Sequence, residues 1–112
     1  MQDRTKRFAV AAVRFFSRLP KTEAARVIGH QLLRAGTSVA ANYRAACRAR
    51  SAADFISKIS VVLEEVNETL FWLELLMDAD IIESRLTSSL SAKCNELLKI
   101  FPASVATAKA NR

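Results

Sequence analysis

The side chains of this chain best suited to chemistry are arginines and carboxylates at helical spacing. Arg26, His30, Arg34, Thr37, Ala41, Arg44 and Arg48 recur three and four residues apart. On a straight helix they stay within about 80° of one another and span about 33 Å. Arg50 extends the row at a turn. Such a stripe can follow a phosphate backbone or meet acids on a neighbouring subunit. No base-reading motif accompanies it, so contact with nucleic acid would be mostly to phosphate and weakly sequence-specific. The candidate nucleic-acid-binding residues are Arg26, Arg34, Arg44, Arg48 and Arg50.

A second row, Asp54, Val61, Glu65, Glu68, Trp72 and Leu75, interleaves acids with large apolar groups. Paired carboxylates can act as acid and base or bind metal. Here neither a histidine nor a second carboxylate-bearing helix joins them, and His30 is the only histidine. No nucleophile–base pair or phosphate loop is visible. The expectation is therefore no catalytic residue, no metal, no cofactor and no enzymatic activity. Val61, Glu65, Glu68, Trp72 and Leu75 are instead read as an oligomer interface, with Glu65 and Glu68 placed to meet arginines. Asn42 falls within an apolar stripe, where an amide must be hydrogen-bonded; it is read as a buried polar link that fixes helix register.

These residues sit on four predicted helices. With two glycines and two prolines in 112 residues, the chain favours helices joined by short turns. The first helix is expected over residues 4–18, with Phe8, Ala12, Phe15 and Leu19 inward and Arg7, Arg14, Arg18 and Lys21 outward. Pro20 should end it. The second covers residues 23–49 behind Thr22 as N-cap, burying Ile28, Leu32, Ala35, Val39 and Ala46. The third covers residues 52–78, opened by Ser51 and Asp54 as a capping box. It buries Phe55, Ile59, Val62, Val66, Leu70, Leu73 and Met77. Beyond Leu70 it is apolar almost all round, which calls for burial on two sides. The fourth covers residues 81–101, with Asp80 and Glu83 as its capping pair and Pro102 as its stop. Leu86, Leu90, Cys94, Leu97 and Phe101 face inward. Residues 1–102 thus form one bundle domain and residues 103–112 a frayed tail. Cys47 and Cys94 are both read as small buried apolar side chains.

The net charge of +6 is unevenly spread. Residues 1–50 carry eleven Lys/Arg against two acids, whereas residues 51–112 carry six against nine. That asymmetry points to polyanion binding, to self-association between opposite charges, or to both. A hydrophobic fraction of 51% is high for so small a domain and hints at a buried interface. No apolar run approaches the roughly 20 residues of a membrane span. The basic amphipathic first helix could lie on a membrane surface, but a core helix with a solvated back fits it better. A cytoplasmic location is expected.

Two blocks, LLRAGTSVAANYRAA in the second helix and ADFISKISVVLEEVNETLFWLELL in the third, resemble the bacterial four-helix bundle proteins named for 23S rRNA intervening sequences. The outer helices match in pattern and length. The resemblance implies an all-α, antiparallel up-down four-helix bundle that assembles as a homopentameric ring. It also implies kinship with the accessory protein of diversity-generating retroelements, a basic ring that binds nucleic acid and a reverse transcriptase. The family's recurring polar positions correspond to Asn42, Arg44, Glu65 and Glu68, which there look structural or interfacial. Glu64 departs from the pattern, since related sequences often carry lysine at that position. The extra acid could weaken binding to nucleic acid.

Taken together, the sequence reads as a non-enzymatic oligomeric bundle that binds RNA or DNA through a basic surface. It would serve as an accessory to a reverse transcriptase or a ribosomal component. The alternative is a protein–protein scaffold whose charged stripes are used for self-assembly, without nucleic-acid binding.

Overall fold

The computed structural model describes residues 1–111 and contains four helices: α1 (Gln2–Ser17), α2 (Glu23–Ala46), α3 (Ala52–Asp78) and α4 (Ser84–Ala110). Among the described residues there is no strand. The molecule is a rod of 48 × 19 × 19 Å. Helices of this length, at about 1.5 Å per residue, fit only along the long axis. The short connections therefore make sequential neighbours antiparallel. Each helix packs on the next, and α1 closes sparsely against α4.

One stripe per helix builds the core. Phe8, Ala12 and Phe15 of α1 meet Leu32, Val39 and Ala46 of α2, Ile59, Val62, Val66, Leu73 and Leu76 of α3, and Leu90, Cys94, Leu97 and Phe101 of α4. Several expected core positions lie only half-buried, among them Ile28, Phe55, Leu70 and Met77, and Leu86 is exposed. The true α3 stripe is rotated toward Thr69 and Leu76. Three threonines, Thr5, Thr69 and Thr87, are buried. Each satisfies its hydroxyl by donating to a carbonyl of its own helix: Gln2 at 3.0 Å, Glu65 at 2.8 Å and Ser84 at 2.8 Å.

The ends differ from the expected ones in instructive ways. Thr22 caps α2, accepting from the Ala25 N–H, and Ser51 caps α3, accepting from the Asp54 N–H at 3.0 Å. Asp54 returns the bond to the Arg50 N–H rather than to Ser51. The Lys58 ammonium, and then that Arg50 bond, hold the Asp54 carboxyl below the usual carboxylate range. Asp80 does not cap α4. It takes the left-handed conformation (φ 58°) beyond the end of α3, where the Ile81 N–H reaches back to the Leu76 carbonyl. Glu83 is the N-cap of α4, without a side-chain cap bond.

Pro102 does not stop α4, which runs on to Ala110. A proline removes one ladder donor and crowds the preceding turn. Here Phe101 is fully buried and Val105 packs against the core, so burial on both sides of the proline carries the helix through it. The tail expected from residue 103 is therefore helical to Ala110, while Arg112 lies outside the described residues.

α1 and α2 approach closely where Gly36 faces Ala12: a Cβ at position 36 would lie 2.6 Å from the Ala12 Cβ. Neither group can rotate away. Overpacking costs about 1–3 kcal/mol, and the gain in helix propensity returns about 1 kcal/mol. Gly36→Ala is thus expected to lower the melting temperature by about 4–8 °C per net kcal/mol lost, measured by circular dichroism. The cysteines are unlike one another. Cys47 is exposed at the end of α2, against expectation, because the helix stops at Ala46. Cys94 is buried, and burial pushes its thiol up to about 12. A thiol reagent at pH 8 is expected to label Cys47 in the folded protein and Cys94 only after denaturation, as mass spectrometry of the labelled chain would show.

Candidate nucleic-acid interface

Along α2 the arginine row divides into three parts. Arg26 is exposed near the turn from α1, where it shares a surface recess with Lys21 and His30. His30 lies against Phe16 of α1 with ring centroids 5.0 Å apart and the rings tilted by 45°, a contact between the two helices. At the other end, Arg44 is exposed on the last turn of α2, and Arg48 and Arg50 are exposed in the connection to α3. Arg44 borders a cleft of about 390 Å³ with Lys6, Asp3, Thr37 and Ala41. Because α2 ends at Ala46, the helical part of the stripe stops at Arg44.

The middle of the row is committed elsewhere. Arg34 donates from Nη2 to Glu68 Oε2 at 2.5 Å and from Nη1 to Glu65 Oε2 at 3.3 Å. Glu68 Oε1 also accepts the Trp72 indole N–H at 3.4 Å. The Glu68 hydrogen bond, helped by the charges of both carboxylates and opposed by desolvation, holds the Arg34 guanidinium above its ordinary value. One guanidinium thus straddles two carboxylates across the α2–α3 seam. Expectation placed Glu65 and Glu68 opposite arginines of a neighbouring subunit; they face Arg34 of the same chain instead. Of the five candidate cations, Arg34 is the one held in an ion pair among the described residues.

The signal for this pairing was present in the sequence. Residues 34 and 65 are equidistant from the short turn near residue 49, so an antiparallel pair must bring them level. Reading each helix separately hid the match.

The proposed interface residues remain only partly covered. Glu65, Glu68, Trp72 and Leu75 are half-buried and Val61 is 39% exposed. Phe71, beside Trp72 in an edge contact at 4.9 Å, is 53% exposed. Asn42 is half-buried rather than buried. Its Nδ2 donates to the Ser38 carbonyl of its own helix at 2.9 Å, so within one chain it links no two helices. Its position at the edge of the stripe, beside the half-buried Tyr43 that packs on Phe101, accounts for the difference.

Among the described residues, the other ion pairs are Arg4–Glu96, Lys58–Asp54 and Arg85–Glu83. None engages Arg26, Arg44, Arg48 or Arg50, although the Arg50 charge lies close enough to act on Asp54. No group of three or more His, Cys, Asp and Glu among these residues is arranged to hold a metal ion. No described helix is long and apolar enough to cross a membrane.

Residues 1–103 match the family model described as 23S rRNA-intervening sequence protein. A similar solved structure is a crystal structure of a protein of unknown function from the S23 ribosomal protein family of Bacteroides thetaiotaomicron. It is 36% identical, with a TM-score of 0.86, over 93% of this chain and 96% of that one. No curated protein sequence matches the chain.

Arg34→Ala leaves Glu65, whose side chain is 18% exposed, without its partner. Arg34 itself is 49% exposed, so solvent screens the cluster and the loss is expected to be about 1 kcal/mol. Thermal melts of Arg34→Ala and Arg34→Lys at low and high salt check this. Both should melt below wild type, with the gap narrowing as salt rises.

Proposed function

The chain belongs to the 23S rRNA-intervening sequence protein family, and from that premise we propose that it is a non-enzymatic helical-bundle protein that binds nucleic-acid backbone. The observation that carries the reading is the set of exposed α2-side cations, Arg26, Arg44 and Arg48, without a carboxylate partner among the described residues. Arg50 joins them with its charge shared toward Asp54. Arg34 is withdrawn from the interface, because releasing it would strand two carboxylates. The contact is to phosphates, since arginines on one helix face with no inserted base-reading element follow charge rather than sequence.

The protein also self-associates in this reading. Apolar groups exposed on α3, Phe71 and Val61, favour it, and a ring of five copies is what the family resemblance implies. Repeating a weak cationic surface around an axis raises its avidity without new contacts. The partner is RNA or DNA, in a cytoplasmic accessory role beside a reverse transcriptase or a ribosomal component.

One observation favours a second reading, a scaffold that does not bind nucleic acid: the basic row is interrupted at its middle, which leaves its exposed cations at two separated ends. The central arginine of the row already spends its charge on Glu65 and Glu68.

A salt series with a structured RNA separates the two. Three free arginines per chain give an expected slope of log affinity against log salt of about −2 to −3 for each chain engaged. Arg44→Glu/Arg48→Glu is expected to weaken binding by about tenfold or more, while Arg34→Ala changes it little. Absence of binding at low salt would discard the nucleic-acid reading in favour of the scaffold.

A further inference from the structure

The seam between α1 and α4 is the least closed of the bundle. It opens as a groove of about 460 Å³ with Arg7, Arg14, Arg18 and Lys93 along its sides and Val10, Ala11, Phe15, Leu86 and Leu90 beneath them. No carboxylate lines it. It continues past Arg7 and Lys93 into a second recess bounded by the Arg4–Glu96 pair, which closes that end. Lys93 donates to Ser89 at 3.2 Å, and none of the four cations takes part in an ion pair among the described residues. The groove is therefore cationic at the rim and apolar within, with Val10 41% and Leu86 38% exposed.

α3 carries the opposite profile on its outer face. Glu64, Phe71 and Asp78 are seven residues apart, and Glu74 lies beside them. All four are exposed, and the three acids form no ion pair among the described residues. Residues at this spacing drift only about 20° per seven positions, so they form one straight ridge. Glu64 and Glu74 are about 15 Å apart along the axis, against about 16 Å for Arg7 to Arg18.

We infer that the α1–α4 groove of one copy receives the α3 ridge of a second copy, with Phe71 seated against Val10 and Leu86 and the flanking acids on the groove arginines. This rests on the self-association proposed above and identifies its two surfaces. α3 lies diagonally opposite α1, so the ridge cannot reach the groove of its own chain. Groove and ridge are different surfaces on opposite sides of the rod, so two copies cannot make the contact reciprocally; it is heterologous, and repeating it closes a ring or extends a filament. Nucleic acid could cover the cations but would leave the apolar floor without a partner. An acidic ridge with a central aromatic satisfies both. The α2 cations stay outside this contact.

The test uses two full-length variants and measurement of mass in solution. Arg7→Glu/Arg14→Glu spoils the groove and keeps the ridge; Phe71→Ser/Glu74→Lys does the reverse. Wild type is expected to sediment as an oligomer and each variant alone as a monomer. Their equimolar mixture should form a dimer that stops at two, because one good groove meets one good ridge. All substitutions are at exposed positions, and a native helical spectrum with a cooperative melt qualifies each variant. Val10→Glu and Glu64→Lys replace any that fails, judged by the same mixing outcome. If wild type is oligomeric and both variants keep its mass, the groove–ridge pairing is wrong and self-association stands. If the groove variant keeps its mass but loses RNA, the groove belongs to nucleic acid and the inference falls. A wild type that stays monomeric at its highest soluble concentration overturns the inference and the self-association together.

Discussion

The short connection at residues 47–51 sets the register of the longest helix pair, and most of the structure follows from it. α2 ends at Ala46 and α3 starts at Ala52, so the two helices must run back along one another with little freedom to slide. Ser51 fixes the start of α3 by capping it, and Asp54 ties the same turn to the Arg50 N–H. With the register fixed, Val39 and Leu32 meet the Ile59–Leu73 stripe, and Arg34 arrives between Glu65 and Glu68. A slip of one residue would turn each stripe by about 100° and expose both the apolar groups and the guanidinium's partners.

That register also decides which charges are left over. Acids of the second half are spent on the α2–α3 seam only where an arginine falls level with them. Glu64, Glu74 and Asp78 lie outside the seam and form no ion pair among the described residues. On the other side, α1 presents its arginines toward α4, whose facing positions are Ser89, Lys93 and leucines. Like charges along that edge repel one another, and the seam has few bonds to draw it closed. The surplus of positive charge in the first half and of negative charge in the second thus resolves into two faces on different corners of one rod. A third, on α2, carries the exposed arginines Arg26 and Arg44.

Much of the architecture was legible in the sequence because α-helical periodicity is a strong local signal. The bounds of α3, the caps at Thr22 and Ser51, and the inward stripe of α4 from Leu90 to Phe101 needed nothing beyond spacing and cap chemistry. What was not legible depended on neighbours. Thr5, Thr69 and Thr87 enter the core because a threonine hydroxyl can bond back to its own helix, leaving its methyl to pack. Pro102 lies within α4 because tertiary burial outweighs a local breaker. Asp80 serves the end of α3 rather than the start of α4, since both roles suit the same residue type. Cys47 and Asn42 looked buried on a projected helix whose end and tilt the projection could not know. Arg26 and Arg44 are exposed on α2 as their spacing suggests and Arg48 lies beyond the helix end, but the pairing of Arg34 with Glu65 and Glu68 required the register of the partner helix.

The half-exposed state of Trp72, Leu75, Phe71 and Val61 follows from the same geometry. A bundle of four helices offers each helix two neighbours and a quarter-turn of core, and α3 carries more apolar surface than that arc can cover. Rotating α3 to hide Phe71 would lift Ile59 or Val66 out of the core and pull Glu68 away from Arg34. The sequence instead keeps the charge cluster and leaves the aromatic at the rim. Beside Phe71, the Trp72 indole donates to Glu68, so the aromatic pair and the charge cluster share one support.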